Sequence, residues 1–237
     1  LSQQQQQQQH AVQKGEICMS LTLHLHPLSS YSHKTLIAFY ENDVPFTANN
    51  LDLANEECRT AFRKLWPLGK MPVLRDEARD RTVPESTIII EYLARHYPGP
   101  VELLPADPEL ALQVRFADRF YDFYVHTHVQ GIVADRLRPA GRHDPYGVEQ
   151  KRAALTSSYD IIEAEMATRT WATGESYTMA DCAASPALFY ANEVLPFGDT
   201  HRHVAAYFER LKKRPSFARV LKEAEPYFHM FPRQNLA

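Results

Sequence analysis

The residues that most limit what this chain can fold into are Pro98, Gly99, Pro100 and Pro105. Proline and glycine at that density end helices and strands alike, so residues 98–107 read as a linker. The hydrophobic pattern differs on its two sides. Before it, short alternating runs take turns with short helical runs; after it, long helical periods continue without any strand-like alternation. The pattern divides the chain into a small α/β half at 19–97 and an all-helical half at 108–237.

Within the first half, residues 21–26 read Leu-Thr-Leu-His-Leu-His, the alternation of a half-buried strand, and Pro27 ends it. Ser29 and Ser30 are good N-cap residues for a helix running through Ile37 and Tyr40. Residues 44–51 suit a second strand and 56–65 a helix. A third strand opens at Met71, a polar turn covers 76–80, and 81–83 form a short return strand. The helix expected at 85–96 has Ile88, Ile89, Tyr92 and Leu93 on its apolar side. This β-α-β-α-β-β-α order is similar to the thioredoxin fold, although other small α/β domains share it. In the second half, one helix is expected over 109–137, another over 146–169, a third from Thr178, and two more over 201–213 and 216–225. Phe116, Phe120, Phe123 and Tyr124 are spaced as an apolar core stripe.

Composition excludes several roles. The net charge of −3 gives no electrostatic footprint for nucleic acid or an anionic membrane. No apolar run approaches the ~20 residues of a membrane-spanning helix. Cys18, Cys58 and Cys182 show no C-x-x-C spacing and are odd in number, which fits a reducing cytoplasm better than a disulfide framework. Three H-x-H pairs, at 24 and 26, 126 and 128, and 201 and 203, lack the spacing of a common zinc site, so no metal is expected. Residues 1–18 carry seven consecutive glutamines, Gln3 to Gln9, and no apolar signal-peptide core. They read as a disordered leader or a non-native remnant outside the fold.

Four short motifs carry the inference, three of them chemical and one structural. Ser29-Ser30-Tyr31-Ser32-His33-Lys34 lies where a strand feeds a helix N-terminus. Free N–H groups and the helix dipole favour an anion there, and a thiolate placed there has a lowered pKa. Trp66-Pro67-Leu68-Gly69-Lys70-Met71-Pro72-Val73-Leu74 puts a proline at a strand start, which a trans peptide also allows. Pro84-Glu85-Ser86 opens a helix whose first N–H groups, with Ser86, can hold a carboxylate, while Glu85 can pair with an amine. Thr178-Met179-Ala180-Asp181 is a capping-box variant with a structural role. Each has a plain structural reading by itself, as a helix cap or a strand start.

Taken together and in this order, the motifs resemble the glutathione transferase superfamily over about residues 21–231. The S-S-x-S-x-K start is most similar to its serine-type zeta and related bacterial classes. The resemblance implies an α/β thioredoxin-like N-terminal domain plus an all-α C-terminal helical-bundle domain. It implies a cis bond before Pro72, Ser29 as the catalytic hydroxyl, and glutathione as co-substrate held by Lys70, Met71, Pro72, Glu85 and Ser86. Met71 would pair with the cysteinyl backbone like an added strand. Trp66 stands where relatives usually carry asparagine. A small electrophile is expected between Tyr31 and the first long helix of the second half. Tyr121, Tyr124 and His128, spaced i, i+3, i+7, are candidates to line that pocket. The resemblance further implies a homodimer and glutathione conjugation or thiolysis. A maleylacetoacetate isomerase-like activity is one alternative, although Tyr31 stands where that motif has cysteine. A non-catalytic protein-binding module is the other.

Overall fold

The computed structural model describes residues 20–233, so the leader expected at 1–18 lies outside the described residues. Four strands form one mixed sheet: β1 (Leu21–Leu25), β2 (Thr47–Asn50), β3 (Val73–Asp76) and β4 (Arg81–Pro84), in the order β2-β1-β3-β4. β1 pairs parallel with β2 and antiparallel with β3, and β3 pairs antiparallel with β4. The alternation in β1 is realised directly: Leu21, Leu23 and Leu25 are buried, and Thr22 and His24 are half-buried. Neighbouring residues of β3 serve opposite faces. Leu74 enters the main core, whereas Val73 packs with Leu51 and Phe62 in a small second cluster.

Three helices flank the sheet: α1 (Ser30–Glu41), α2 (Glu56–Leu65) and α3 (Ser86–His96). Asn55 caps α2 through its side chain at 3.0 Å to the Cys58 N–H, and Phe62 is the buried anchor of that helix. α1 is buried along nearly its whole length because it lies between the sheet and the helical half. A helix in that position has no polar face to show.

Some boundaries differ from the sequence expectation. β2 is shorter than 44–51 because Pro45 cannot donate to a ladder; Val44 and Leu51 are buried beside it, and its four residues are exposed at the sheet edge. β3 begins at Val73, after Met71 and the cis-bonded Pro72. α3 begins at Ser86 because Glu85 has φ +71°, outside the helical region. Its buried face is Ile89, Ile90 and Leu93, which leaves Ile88 exposed, about 100° away around the helix axis.

Residues 97–107 contain no helix or strand. The helical half then follows: α4 (Pro108–Phe120), a π-helical turn (Tyr121–His126), α5 (Thr127–Arg136), α6 (Pro145–Met166), α7 (Met179–Val194), α8 (Arg202–Lys213), α9 (Pro215–Ala224) and a 3₁₀ segment (Glu225–Met230). The expected single helix over 109–137 thus contains an inserted π turn. α7 is buried almost throughout and packs against α1, α4 and the π turn. Its start is fixed by Asp181, which accepts the Thr178 N–H at 2.8 Å, the Ala172 N–H at 2.9 Å and the Tyr207 hydroxyl at 2.7 Å.

The two halves are joined by charge as well as by apolar packing. Lys34 of α1 is 1% exposed and lies 2.7 Å from both Asp118 of α4 and Asp122 of the π turn. It also donates to Thr87 of α3 at 2.8 Å. Arg214 grips the Glu41 carboxylate with two bonds of 2.7 Å. The Tyr190 hydroxyl donates to the Leu28 carbonyl at 2.6 Å.

Candidate functional site

A cavity of about 900 Å³ opens between the two halves. Its first wall comes from three loop-to-helix or loop-to-strand junctions of the α/β half: Leu28 to Tyr31, Lys70 to Pro72, and Glu85 to Thr87. Three of the four motifs singled out in the sequence therefore converge on one space, and Thr178–Asp181 lies elsewhere. The three do so because each sits where the sheet ends and an element begins, on the side facing α4, the π turn and α5.

The three serines of the first motif take different roles. Ser29 is the N-cap of α1; its Oγ accepts the Ser32 N–H at 3.2 Å, which leaves the hydroxyl hydrogen to point elsewhere. Ser30 Oγ lies 2.5 Å from His126 Nε2. Ser32 is fully buried below the cavity and accepts the His26 N–H at 3.4 Å. Ser29 and Ser30 line the cavity, and Ser32 does not.

At the third junction, Glu85 is held with φ +71°, a conformation that costs a residue with a Cβ about 1–3 kcal/mol. The turn brings Ser86, 5% exposed, to the first position of α3, where the leading N–H groups lack intrahelical acceptors. α1 and α3 thus both start at the cavity. Lys70 is exposed at the rim, and Met71 precedes the cis bond to Pro72.

The second wall is contributed by Arg119, Asp122, Phe123 and His126, then Val129, Gln130, Val133, Ala134 and Leu137, with Met230, Phe231 and Pro232 closing over it. Arg136 holds that last segment by donating to the Pro232 carbonyl at 2.9 Å. Burial pushes the Tyr31 hydroxyl above its ordinary pKa, with the Asp122 charge adding to the effect, so the phenol stays protonated. Burial raises the Asp122 carboxyl, against the pull of Lys34. His126 is pushed down to about 3 by burial and the nearby Lys34 charge, so its ring is neutral.

The expected pocket residues of the second half divide. Tyr31 lines the cavity and meets His126 edge-on at 5.1 Å. Tyr121 does not line it; it is buried in the helical core close to Tyr207 and Asp181. Tyr124 faces outward, stacked on Phe120 at 5.6 Å, and His128 also lies away from the cavity. The core stripe is corrected as well: Phe120 is buried, but Phe116, Phe123 and Tyr124 are exposed. The π turn accounts for the residues within and beyond it, while Phe116, which precedes it, is exposed on the outer face of α4. A π turn adds a residue and rotates everything after it, so a 3.6-residue count carried through residue 121 selects the wrong faces. It also hid His126, which the sequence offered only as half of an H-x-H pair. No motif marked Asp122, Gln130 or the 230–232 segment.

Among the described residues, no group of three or more His, Cys, Asp or Glu is placed to hold a metal ion. No helix among them is long and apolar enough to cross a membrane.

Comparison with known proteins adds family evidence. The glutathione S-transferase N-terminal domain family matches residues 23–101, and the glutathione S-transferase C-terminal domain family matches 120–215. Glutathione S-transferase 3 of Zea mays is 30% identical, over 85% of this chain and 93% of its own. FtsZ-localized protein A of Caulobacter vibrioides is 28% identical, over 86% of this chain and 92% of its own. A crystal structure of a glutathione S-transferase from Methylobacillus flagellatus with GSH bound superposes with a TM-score of 0.78 at 25% identity, covering 85% of this chain and 98% of that one.

Proposed function

Because this chain belongs to the glutathione S-transferase family, we propose that it binds glutathione in the cavity and ionises its thiol for attack on a small electrophile. The observation that carries this reading is the convergence of two helix N-termini and the Ser29 hydroxyl on one cavity wall. The γ-glutamyl carboxylate sits on the first N–H groups of α3 and the Ser86 hydroxyl, and its ammonium faces Glu85. Met71 pairs through its backbone with the cysteinyl residue beside Pro72. Lys70 meets the glycine carboxylate. This places the sulfur at the start of α1, within reach of Ser29. A thiol with a pKa of about 8.5 is only ~3% ionised at pH 7, and lowering it by two units raises that to about 75%. The electrophile lies against Tyr31, Phe123 and the α5 face, closed over by Met230 to Pro232.

Homodimerisation belongs to the same reading. Ile88 of α3 and Leu112 and Phe116 of α4 are exposed apolar residues on adjoining helices, which Arg115 and Glu91 link at 2.8 Å. Free Cys58 and Cys182 fit a reducing, cytoplasmic location.

The similarity to FtsZ-localized protein A favours a second reading, a protein-binding module with no chemistry of its own. Steady-state assay with glutathione and an aryl halide electrophile separates the two. Glutathione-dependent product formation that is lost in Ser29→Ala supports the enzyme. A wild-type chain that binds no glutathione and forms no product supports the module.

A further inference from the structure

Ser30 and His126 meet across the boundary between the two halves, both nearly buried and both on the cavity wall. The Oγ–Nε2 distance of 2.5 Å puts the two atoms in hydrogen-bond contact. The other ring nitrogen, Nδ1, is buried and has no hydrogen-bond partner. Tyr31 packs edge-on against the ring at 5.1 Å and Tyr190 tilts against it at 6.4 Å. The charged or titratable groups acting on it are Lys34 and His33.

A neutral imidazole has one N–H to place. On Nδ1 it would be a buried donor with no acceptor, and the Ser30 hydrogen would turn to Nε2, away from the cavity. On Nε2 it is satisfied by Ser30 Oγ, and Nδ1 keeps only an unused lone pair. Orphaned buried donors are rarer than orphaned acceptors, which selects the second arrangement. The ring is not a base for the thiol. With its pKa pushed down to about 3, a proton passed to it from a thiol near 8.5 would be disfavoured by roughly 10⁵-fold.

We propose that His126 is a positioning residue: it donates Nε2–H to Ser30 Oγ and so turns the Ser30 hydrogen into the cavity, where it joins Ser29 as a second donor to the glutathione sulfur. This rests on the reading that glutathione occupies the cavity. On ionisation the S–H electron pair stays on sulfur, the proton leaves to water, and Ser30 donates its hydrogen bond without ionising.

The test uses the full chain as wild type, Ser30→Ala, His126→Leu, the double variant and His126→Gln, whose amide N–H stands near the position of Nε2. Calorimetry gives glutathione affinity, thiolate absorbance against pH gives the bound thiol's pKa, and nitrogen NMR of the free protein gives the His126 tautomer. The expected results are the Nε2–H tautomer and a thiol pKa raised by about one unit in Ser30→Ala and in His126→Leu, a ~10-fold loss in ionisation. The double variant shows no more than either single, because both remove one hydrogen bond. His126→Gln stays near wild type. An Nδ1–H tautomer overturns the proposal, as does an unshifted thiol pKa in Ser30→Ala, and the latter decides even if His126→Leu fails to fold. Wild-type protein that binds no glutathione removes the proposed function and the sulfur donor together. Binding with unshifted pKa values removes only this inference.

Discussion

Replacing Lys34 by methionine perturbs the joint between the two halves. The lysine ammonium is 2.7 Å from Asp118 and from Asp122, and Asp118 is fully buried. Methionine fills similar volume but leaves two buried carboxylates without their cation. Breaking a buried ion pair from one side costs about 3–5 kcal/mol. For a chain of this size each kcal/mol lowers Tm by about 2–4 °C, so the loss is about 6–20 °C. The pH dependence has a definite sign. Burial already lifts Asp122 above the ordinary carboxylate range, and removing Lys34 lifts it further. A carboxyl whose folded pKa exceeds its unfolded value near 3.9 contributes stability below that value and loses it as pH rises through the folded pKa. Lys34→Met is therefore closer to wild type at pH 5 than at pH 8. Circular dichroism melts of both proteins at the two pH values give the comparison. A Tm loss under ~2 °C, or a larger loss at pH 5 than at pH 8, rules out this role for the buried Lys34 ion pairs.

Three further outcomes follow from particular contacts. Ser29→Ala raises the pKa of bound glutathione by about one to two units, the worth of a hydrogen bond to a charged acceptor, and costs about 1 kcal/mol of stability as a lost cap; thiolate titration and urea unfolding read the two effects separately. Asp181→Asn turns an amide N–H₂ towards the donors of Thr178, Ala172 or Tyr207 and lowers unfolding free energy by about 1–3 kcal/mol in urea melts. Leu112→Glu with Phe116→Glu places charges on the exposed apolar face of α4 and converts a dimer to a monomer by light scattering at micromolar concentration; a monomeric wild type counts against the dimer.

Much of the α/β half was legible because its signals are local. Leucines at 21, 23 and 25 alternate as a strand requires, and α2 spans Glu56–Leu65, the range expected for it. Ser29 and Thr178 sit at helix starts. The glutathione-side candidates Ser29, Lys70, Met71, Pro72, Glu85 and Ser86 all line the cavity. The illegible part depends on geometry that a period cannot carry. The π turn at Tyr121–His126 shifts which residues of the long helix share a face, so His126 lines the cavity while Tyr121 and Tyr124 do not. The positive φ of Glu85 has no glycine to announce it, and the 230–232 segment is held at the cavity by contacts distant in sequence, Phe231 against Tyr190 and Arg136 on the Pro232 carbonyl.

Calorimetric titration of glutathione into the wild-type chain and into a folded Glu85→Ala, Ser86→Ala double variant decides whether the cavity is a glutathione site. Glu85 and Ser86 meet the γ-glutamyl end, which carries two charges on one carbon. One glutathione per chain is expected in wild type, with affinity weaker by more than tenfold in the double variant, a loss of about 1.4 kcal/mol or more. No binding heat in wild type at millimolar glutathione, or equal affinity in the two proteins, would contradict it.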